Sequence, residues 1–313
     1  MIEPAVTLSS KALAKTWPIP RHDAFERRMR AHASSWFRAR SFATLPAYPY
    51  ILAHRGAWPQ NIILPEVVAY INGQRAGFPL HKYIHHGLSS QAMLFNLIGP
   101  LLVRADLAPL HAVLARHRVV LPEDSLQGVL EYEDRTVFRE DTGQPTSIDL
   151  VLRDASGKAA IFIESKFVER EFGGCSVFAN GDCDGRNPAA DHSICYLHHV
   201  GRRYWTLMQK HCFLTDAMQA NLTCVFAAYY QYFREVLFAL EKGGSFVLLY
   251  DARNPTFVAN DSERGLIPFL LSLTPLTLRD RIAAITIQEV ASAVRETGRH
   301  EWLDEFDAKY GLG

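Results

Sequence analysis

The stretch Ser147 to Phe167, SIDLVLRDASGKAAIFIESKF, constrains this chain more than any other. Ile148, Leu150 and Leu152 alternate with Asp149, Val151 and Arg153; Ile161, Ile163, Ser165 and Phe167 alternate with Phe162, Glu164 and Lys166. A period of two in both halves predicts a pair of half-buried strands. Asp154-Ala-Ser-Gly-Lys158 between them is rich in turn formers, and Gly157 is free to take a positive φ. A turn centred between Ser156 and Gly157 sets Asp149 opposite Glu164, with Cβ atoms about 5 Å apart. Lys166, two residues beyond Glu164, points to the same side. The other face, from Ile148, Leu150 and Leu152 to Ile161, Ile163 and Phe167, is apolar and should meet a core.

Two carboxylates at that distance repel, and a cation relieves them. Hard oxygen ligands so placed suit Mg²⁺ or Mn²⁺, bound through one or two carboxylates together with a phosphate and water. A lysine beside such an ion can orient or help deprotonate the attacking water and offset charge on the phosphorus centre. The ordinary alternative is a solvated hairpin face with a cross-strand lysine–carboxylate pair, and Asp…Glu-x-Lys is short enough to arise that way. Against it stand the hairpin register, the strongly apolar strand carrying Glu164, and the cost of facing two like charges without a use for them.

Asp149 in Ser-Ile-Asp149, with Glu164-Ser-Lys166, resembles the signature of the PD-(D/E)XK nuclease superfamily, the restriction-endonuclease-like fold. The signature proline is displaced, since Pro145 lies four residues before Asp149. SSQAMLFNLIGPLL (Ser89–Leu102), EYE (Glu131–Glu133), PTSIDLVL and GRRYW (Gly201–Trp205) are similar to a family of bacterial restriction-endonuclease-like proteins, over roughly residues 81 to 250. The resemblance implies an α/β fold, a central mixed β-sheet flanked by helices. It implies metal held by Asp149, Glu164 and the Ser165 backbone carbonyl, with Lys166 positioning and activating water. DNA is the implied substrate, and a homodimer cutting both strands would follow the habit of such enzymes.

With 48% hydrophobic residues, 313 positions can bury a sizeable core. Lys and Arg together equal Asp and Glu at 33 each, so a nucleic-acid partner would need a local basic groove, not a uniformly basic surface. No signal-peptide pattern opens the chain and no run reaches the length of a membrane span; the expectation is a cytoplasmic protein without a membrane partner. Patterns for nucleotide loops (Gly-x-Gly-x-x-Gly, P-loop), the Gly-x-Ser-x-Gly elbow and the His-Glu-x-x-His helix are absent.

Taken in order, residues 1–80 read as a helical and irregular extension, and 81–313 as the nuclease-like domain. Residues 1–20 form a lead with little pattern. Arg21 to Arg40 has helical spacing, with Phe25, Met29, Ala33, Trp36 and Phe37 on one face and Arg21, Arg27, Arg28, Arg30, Arg38 and Arg40 on another. That basic face suits phosphate or bulk solvent equally. Residues 44–80, rich in proline, read as an irregular arm. Ser89 or Ser90 caps a helix apolar on nearly every side, ended or kinked at Gly99-Pro100. Gln91 or Asn96 on it would approach the metal site or satisfy backbone groups. Leu107 to Arg118 is a short helix. Leu126 to Phe138 reads as a strand beside Asp149; alternation puts Glu131 and Glu133 on one face, and Glu131 is favoured as a third carboxylate.

Residues 168–195 form a long loop, and long loops in compact domains are commonly functional or disordered. Cys175, Cys183 and Cys195, with Cys212 or one of His192, His198 and His199, would serve a structural Zn²⁺; without a Cys-x₂-Cys knuckle, the alternative is free thiols. Ser193 to His211 reads as one helix, from which Arg202, Arg203 and Gln209 would contact DNA or face solvent. Leu222 to Tyr230 reads as a buried strand, followed by helix 232–240, strand 246–250, helix 263–271, strand 282–287 and helices 288–295 and 301–310. The expected function is metal-dependent phosphodiester hydrolysis, as a DNA endonuclease in restriction or defence. Its rivals are a non-catalytic nucleic-acid-binding protein on the same scaffold and a zinc-ordered interaction module.

Overall fold

The computed structural model describes residues 22–74, 80–122, 126–141, 143–258, 265–298 and 301–312. The expected N-terminal lead, Arg21 and the start of the helix expected at residue 263 lie outside them.

In chain order, helix α1 (His22–Ala39), strands β1 (Thr44–Leu45) and β2 (Tyr48–Leu52), and helices α2 (Pro65–Gln74), α3 (Ser90–Val103) and α4 (Ala108–Arg116) come first. Strands β3 (Gln127–Asp134), β4 (Thr146–Arg153) and β5 (Ala159–Lys166) follow. Then come the short helices α5 (Ser176–Ala179), α6 (Tyr196–His199), α7 (Tyr204–Lys210) and α8 (Asp216–Ala220), and the long α9 (Val225–Glu241). The chain finishes with β6 (Ser245–Tyr250), α10 (Leu266–Ser272), β7 (Ile282–Thr286), α11 (Ile287–Glu296) and α12 (Leu303–Tyr310).

The hairpin takes the register read from its turn: Leu150 faces Ile163, Val151 faces Phe162 and Leu152 faces Ile161. Gly157 has φ +80°. The Asp154 carboxylate accepts the Ser156 and Lys158 amides at 2.9 and 3.0 Å, which closes the turn. Five strands form one mixed sheet in the order β3-β4-β5-β6-β7. The first three are antiparallel; β5, β6 and β7 run parallel, each step crossing over through helices. This is the expected α/β architecture.

Both faces of the sheet are covered, so the strands are not half-solvated. Leu150, Leu152, Ile161 and Ile163 meet α3, α2 and α11, while Val151, Phe162 and Phe246 meet α9 and α7. Helices on either side supply apolar cover to both sets of alternating positions. On the α9 side, Phe238 is fully buried with its ring centroid 5.7 Å from that of Phe162. On the other side, every residue of α3 from Gln91 to Leu101 is buried. Ser89 caps α3, accepting the Ala92 amide at 3.2 Å. Gly99 lets α2 close on it, for a Cβ there would come within 2.6 Å of Val67. The helix runs through Pro100 to Val103, because a proline near the C-terminal end forfeits one bond and the last turn still closes from Arg104 N to Pro100 O at 3.1 Å.

Three other expectations are corrected. Leu222 to Tyr230 is no strand: Val225 onward is the first part of α9, with non-helical angles at Tyr229 (φ −127°, ψ 31°). An apolar run without a period does not distinguish a buried strand from a buried helix. The place of the fourth core strand belongs to β6. Ser193 to His211 is broken into a 3₁₀ turn, α6 and α7, interrupted at Gly201 with φ +84°. The described part of the arm expected over residues 44–80 is not irregular; residues 44–74 hold β1, β2, a 3₁₀ turn and α2, and Trp58, Ile62, Val67 and Ile71 join the main core with Phe25 and Met29 of α1.

Candidate active site

Three neighbouring strands bring one carboxylate each to the same level of the sheet. The β4–β5 ladder stops at Leu150 and Ile163, so Asp149 and Glu164 occupy the next position in register. There the Asp149 side chain replaces the backbone: its Oδ2 accepts the Ser165 amide at 2.8 Å. On the other side Leu130 pairs with Leu150 and Tyr132 with Ile148, leaving Glu131 across from Asp149. Glu131 has φ +51°, a left-handed conformation that costs a residue with a Cβ roughly 1–2 kcal/mol. The strands change face at this point. Leu130 and Leu150 pack in one layer, Tyr132 and Ile148 in the other. Glu133, the alternative on the same strand, is exposed.

Lys166 Nζ donates to Glu164 Oε1 at 2.7 Å and to Gln231 Oε1 at 2.9 Å. The Gln231 amide in turn donates to Glu164 Oε1 at 2.6 Å, closing a three-membered ring of contacts. Glu164 and Lys166 are buried. From α3, the Gln91 amide donates to Glu131 Oε1 at 2.6 Å while Gln91 Oε1 accepts the His81 amide at 2.9 Å. Asn96 is occupied elsewhere: it receives the Ile63 amide and donates to the Asn61 carbonyl and the Tyr310 hydroxyl, a purely internal role.

The carboxylates outnumber the cation. Burial, then the Glu164 charge, pushes Glu131 up to about 7 despite the Gln91 amide. Burial, then Glu164 and Glu131, raises Asp149 well above the usual range, against Lys166 and the Ser165 amide. Glu235, one helical turn beyond Gln231 on α9, is buried, and neither oxygen has a hydrogen-bond partner of full geometry. Burial and the Glu164 charge lift it well above its ordinary value. Lys166 is held charged: burial works against the ammonium, but Glu164, Glu169, Glu235 and Asp149 outweigh it. Four acids thus share one lysine, and a divalent cation fits that deficit and that oxygen-donor set.

Among the described residues, only His22, Asp23 and Glu26 bring three ligand atoms within 4.8 Å of one another, so Glu131, Asp149 and Glu164 stand wider than that. The His22 set is already neutralised, with Arg170 on Asp23 at 2.5 Å and on Glu26 at 2.8 Å. A magnesium ion completed by water and phosphate needs only one or two of the site's carboxylates.

Other expected residues lie apart from this cluster. Arg202 donates to the Arg139 carbonyl and Arg203 to the Val137 carbonyl, ties that hold the turn before α7 to the connection after β3. Gln209 is exposed and lines a separate cleft with Asp191, His192, His198 and Cys212. Cys175, Cys183 and Cys195 do gather around one cavity, but their companion there is Cys224, not Cys212. Sequence reading missed Gln231, Glu235 and Cys224 for one reason: all three belong to α9 or its cap. Read as a helix, VFAAYYQYFREVLFALE carries Gln231 and Glu235 four apart on one face.

A family model described as "Restriction Endonuclease associating with ARP" matches residues 30–311. No curated protein and no solved structure matches the chain.

Proposed function

Because the chain belongs to the family of restriction endonucleases associating with ARP, and because its sheet gathers Glu131, Asp149, Glu164 and Lys166, we propose that it is a Mg²⁺-dependent (or Mn²⁺-dependent) nuclease. The single observation carrying this reading is the uncompensated row of carboxylates beside a charged lysine. Asp149, Glu164 and the Ser165 carbonyl would hold the ion, with Glu131 completing the acidic wall. Bound there, the ion supplies positive charge to a phosphodiester and makes water easier to deprotonate.

The chain's own groups divide the remaining work. Glu164 and Gln231 fix the Lys166 ammonium at 2.7 and 2.9 Å, so its donors are aimed before substrate arrives. With its proton held by four acids, Lys166 acts first as a donor to water or to the charge developing on phosphate. Gln91 positions Glu131, and through His81 ties it to the loop preceding α3. Duplex DNA is the proposed substrate, cut internally by a homodimer in restriction or defence. Partly exposed Arg202 and Arg203 and exposed Gln209 remain candidates for phosphate contacts.

Circular plasmid DNA tests the reading, since a circle has no ends. Nicking or linearisation should require Mg²⁺ or Mn²⁺, stop with EDTA, and fall on the order of 100-fold or more in Glu164→Ala. Absence of cleavage by folded wild-type protein across metals and DNA forms would overturn it.

A further inference from the structure

The cysteines outside the acidic site carry a second inference. All five are free thiols. Cys175, Cys183, Cys195 and Cys224 border one cavity of about 30 Å³, walled by Phe178, Trp205 and Phe226. Three distant turns are stapled together to produce it. Cys224 N donates to the Gly185 carbonyl at 2.8 Å, and Cys175 N donates to the Phe226 carbonyl at 2.9 Å. The close approach demands glycine: a Cβ on Gly174 would lie 2.4 Å from the Ala227 carbonyl oxygen, and one on Gly185 would lie 2.6 Å from the Phe178 ring.

Backbone amides lie beside the sulfurs. The Gly185 amide donates to Cys183 Sγ at 3.4 Å. Cys175 and Cys224 sit at the N-caps of α5 and α9, beside the amides that open each helix, and neither sulfur closes a cap hydrogen bond. A neutral thiol is a weak acceptor and gains little from such donors. A metal-bound thiolate gains both orientation and charge dispersal from them. We infer that Cys175, Cys183, Cys195 and Cys224 form a four-thiolate site for a single zinc ion, fastening the segment between β5 and α9 to the start of α9.

The cavity selects the ion. Its lining supplies four soft sulfur donors, the set that a tetrahedral zinc site uses. The sulfurs stand too wide for three to lie mutually within 4.8 Å, whereas four Zn–S bonds of about 2.3 Å require separations near 3.8 Å. Binding therefore draws the turns inward and releases the thiol protons to solvent. Cys212, exposed and facing the separate cleft, takes no part. Cys224 caps α9 seven residues before Gln231, with the non-helical Tyr229 between them, so the ion would anchor the start of the element that steadies Lys166.

The test uses the full chain, purified under reducing conditions, and reads metal directly, whatever its cleavage activity. Elemental analysis should find about one zinc per chain, and Co²⁺ exchanged into the protein should give the intense visible bands and thiolate charge-transfer absorption of a tetrahedral sulfur site. Zinc should survive Cys212→Ser and fall at least roughly tenfold in Cys195→Ser. The cobalt spectrum of the wild type needs no variant to fold. Wild-type protein that neither carries zinc nor takes it up when metal-free overturns the inference. So does stoichiometric iron in place of zinc, or loss of zinc in Cys212→Ser with retention in Cys195→Ser.

Discussion

Replacing Glu131 with glutamine should stabilise the metal-free protein at alkaline pH while removing cleavage. In the fold its carboxyl titrates near 7, against an ordinary 4.5, chiefly through burial and the Glu164 charge. A raised carboxyl means that the folded state holds the proton more tightly than the unfolded chain does. Its contribution is fully present below pH 4.5 and is lost as pH rises through 7. The full shift corresponds to about 3 kcal/mol. Glu131 keeps some solvent contact and shares its field with Asp149 and Glu164, so about 1–3 kcal/mol is the expected gain at pH 8. Glutamine keeps the shape and an acceptor for the Gln91 amide but carries no charge. Urea unfolding in EDTA at pH 4.5, 6 and 8, for wild type and Glu131→Gln, measures it. The variant should match the wild type at pH 4.5 and exceed it at pH 8, and added Mg²⁺ should stabilise the wild type more than the variant. A variant no more stable than the wild type at pH 8 would refute the claim that these carboxylates strain the metal-free fold.

Gln231→Ala removes the amide that joins Lys166 to Glu164; single-turnover cleavage should slow about 10–100-fold with DNA affinity nearly unchanged, and an unaltered rate would remove Gln231 from the site. Phe238→Ala, at the meeting of α9 with Phe162, should cost about 3–5 kcal/mol in denaturant unfolding. Lys309 is buried, donates to the Asn61 carbonyl, and is pushed well below its usual range by burial and Arg40. The folded state therefore holds that proton less tightly than the unfolded chain does, and wild-type stability should climb as pH rises toward the ordinary lysine value. Lys309→Met should be as stable as the wild type or more so at pH 7, and should lose that rise in pH-dependent melting.

The hairpin was legible because three local signals agreed: two alternating runs, a glycine able to turn left-handed, and like charges at matching distance from the turn. Glu131 was legible only as one of a pair. Strict alternation puts Glu131 and Glu133 together, and what separates them is a backbone twist at φ +51° that no side-chain pattern announces. The start of α9 was hidden by its own burial, since packing against both Trp205 and Phe233 makes Phe226 apolar where a helix would ordinarily show a polar side. Read as a strand, that run gives Gln231 and Glu235 no shared face and Cys224 no place at a helix cap. Nearness in sequence points to Cys212, whereas strand-like pairing across a long excursion, with Cys224 N on the Gly185 carbonyl, brings Cys224 to the cavity of Cys175, Cys183 and Cys195.

The end of the β4–β5 ladder ties chemistry to architecture in a way that bears on descent. Asp149 takes the place of a missing backbone acceptor for Ser165, so it is a piece of the sheet as well as a wall of the site. Asparagine would surrender the charge and keep the acceptor, whereas alanine would leave the amide of a buried residue unpaired, at a cost of about 1–3 kcal/mol. A lineage released from the proposed cleavage would therefore drift through asparagine at this position, and its silent members would still wear the outline of the site.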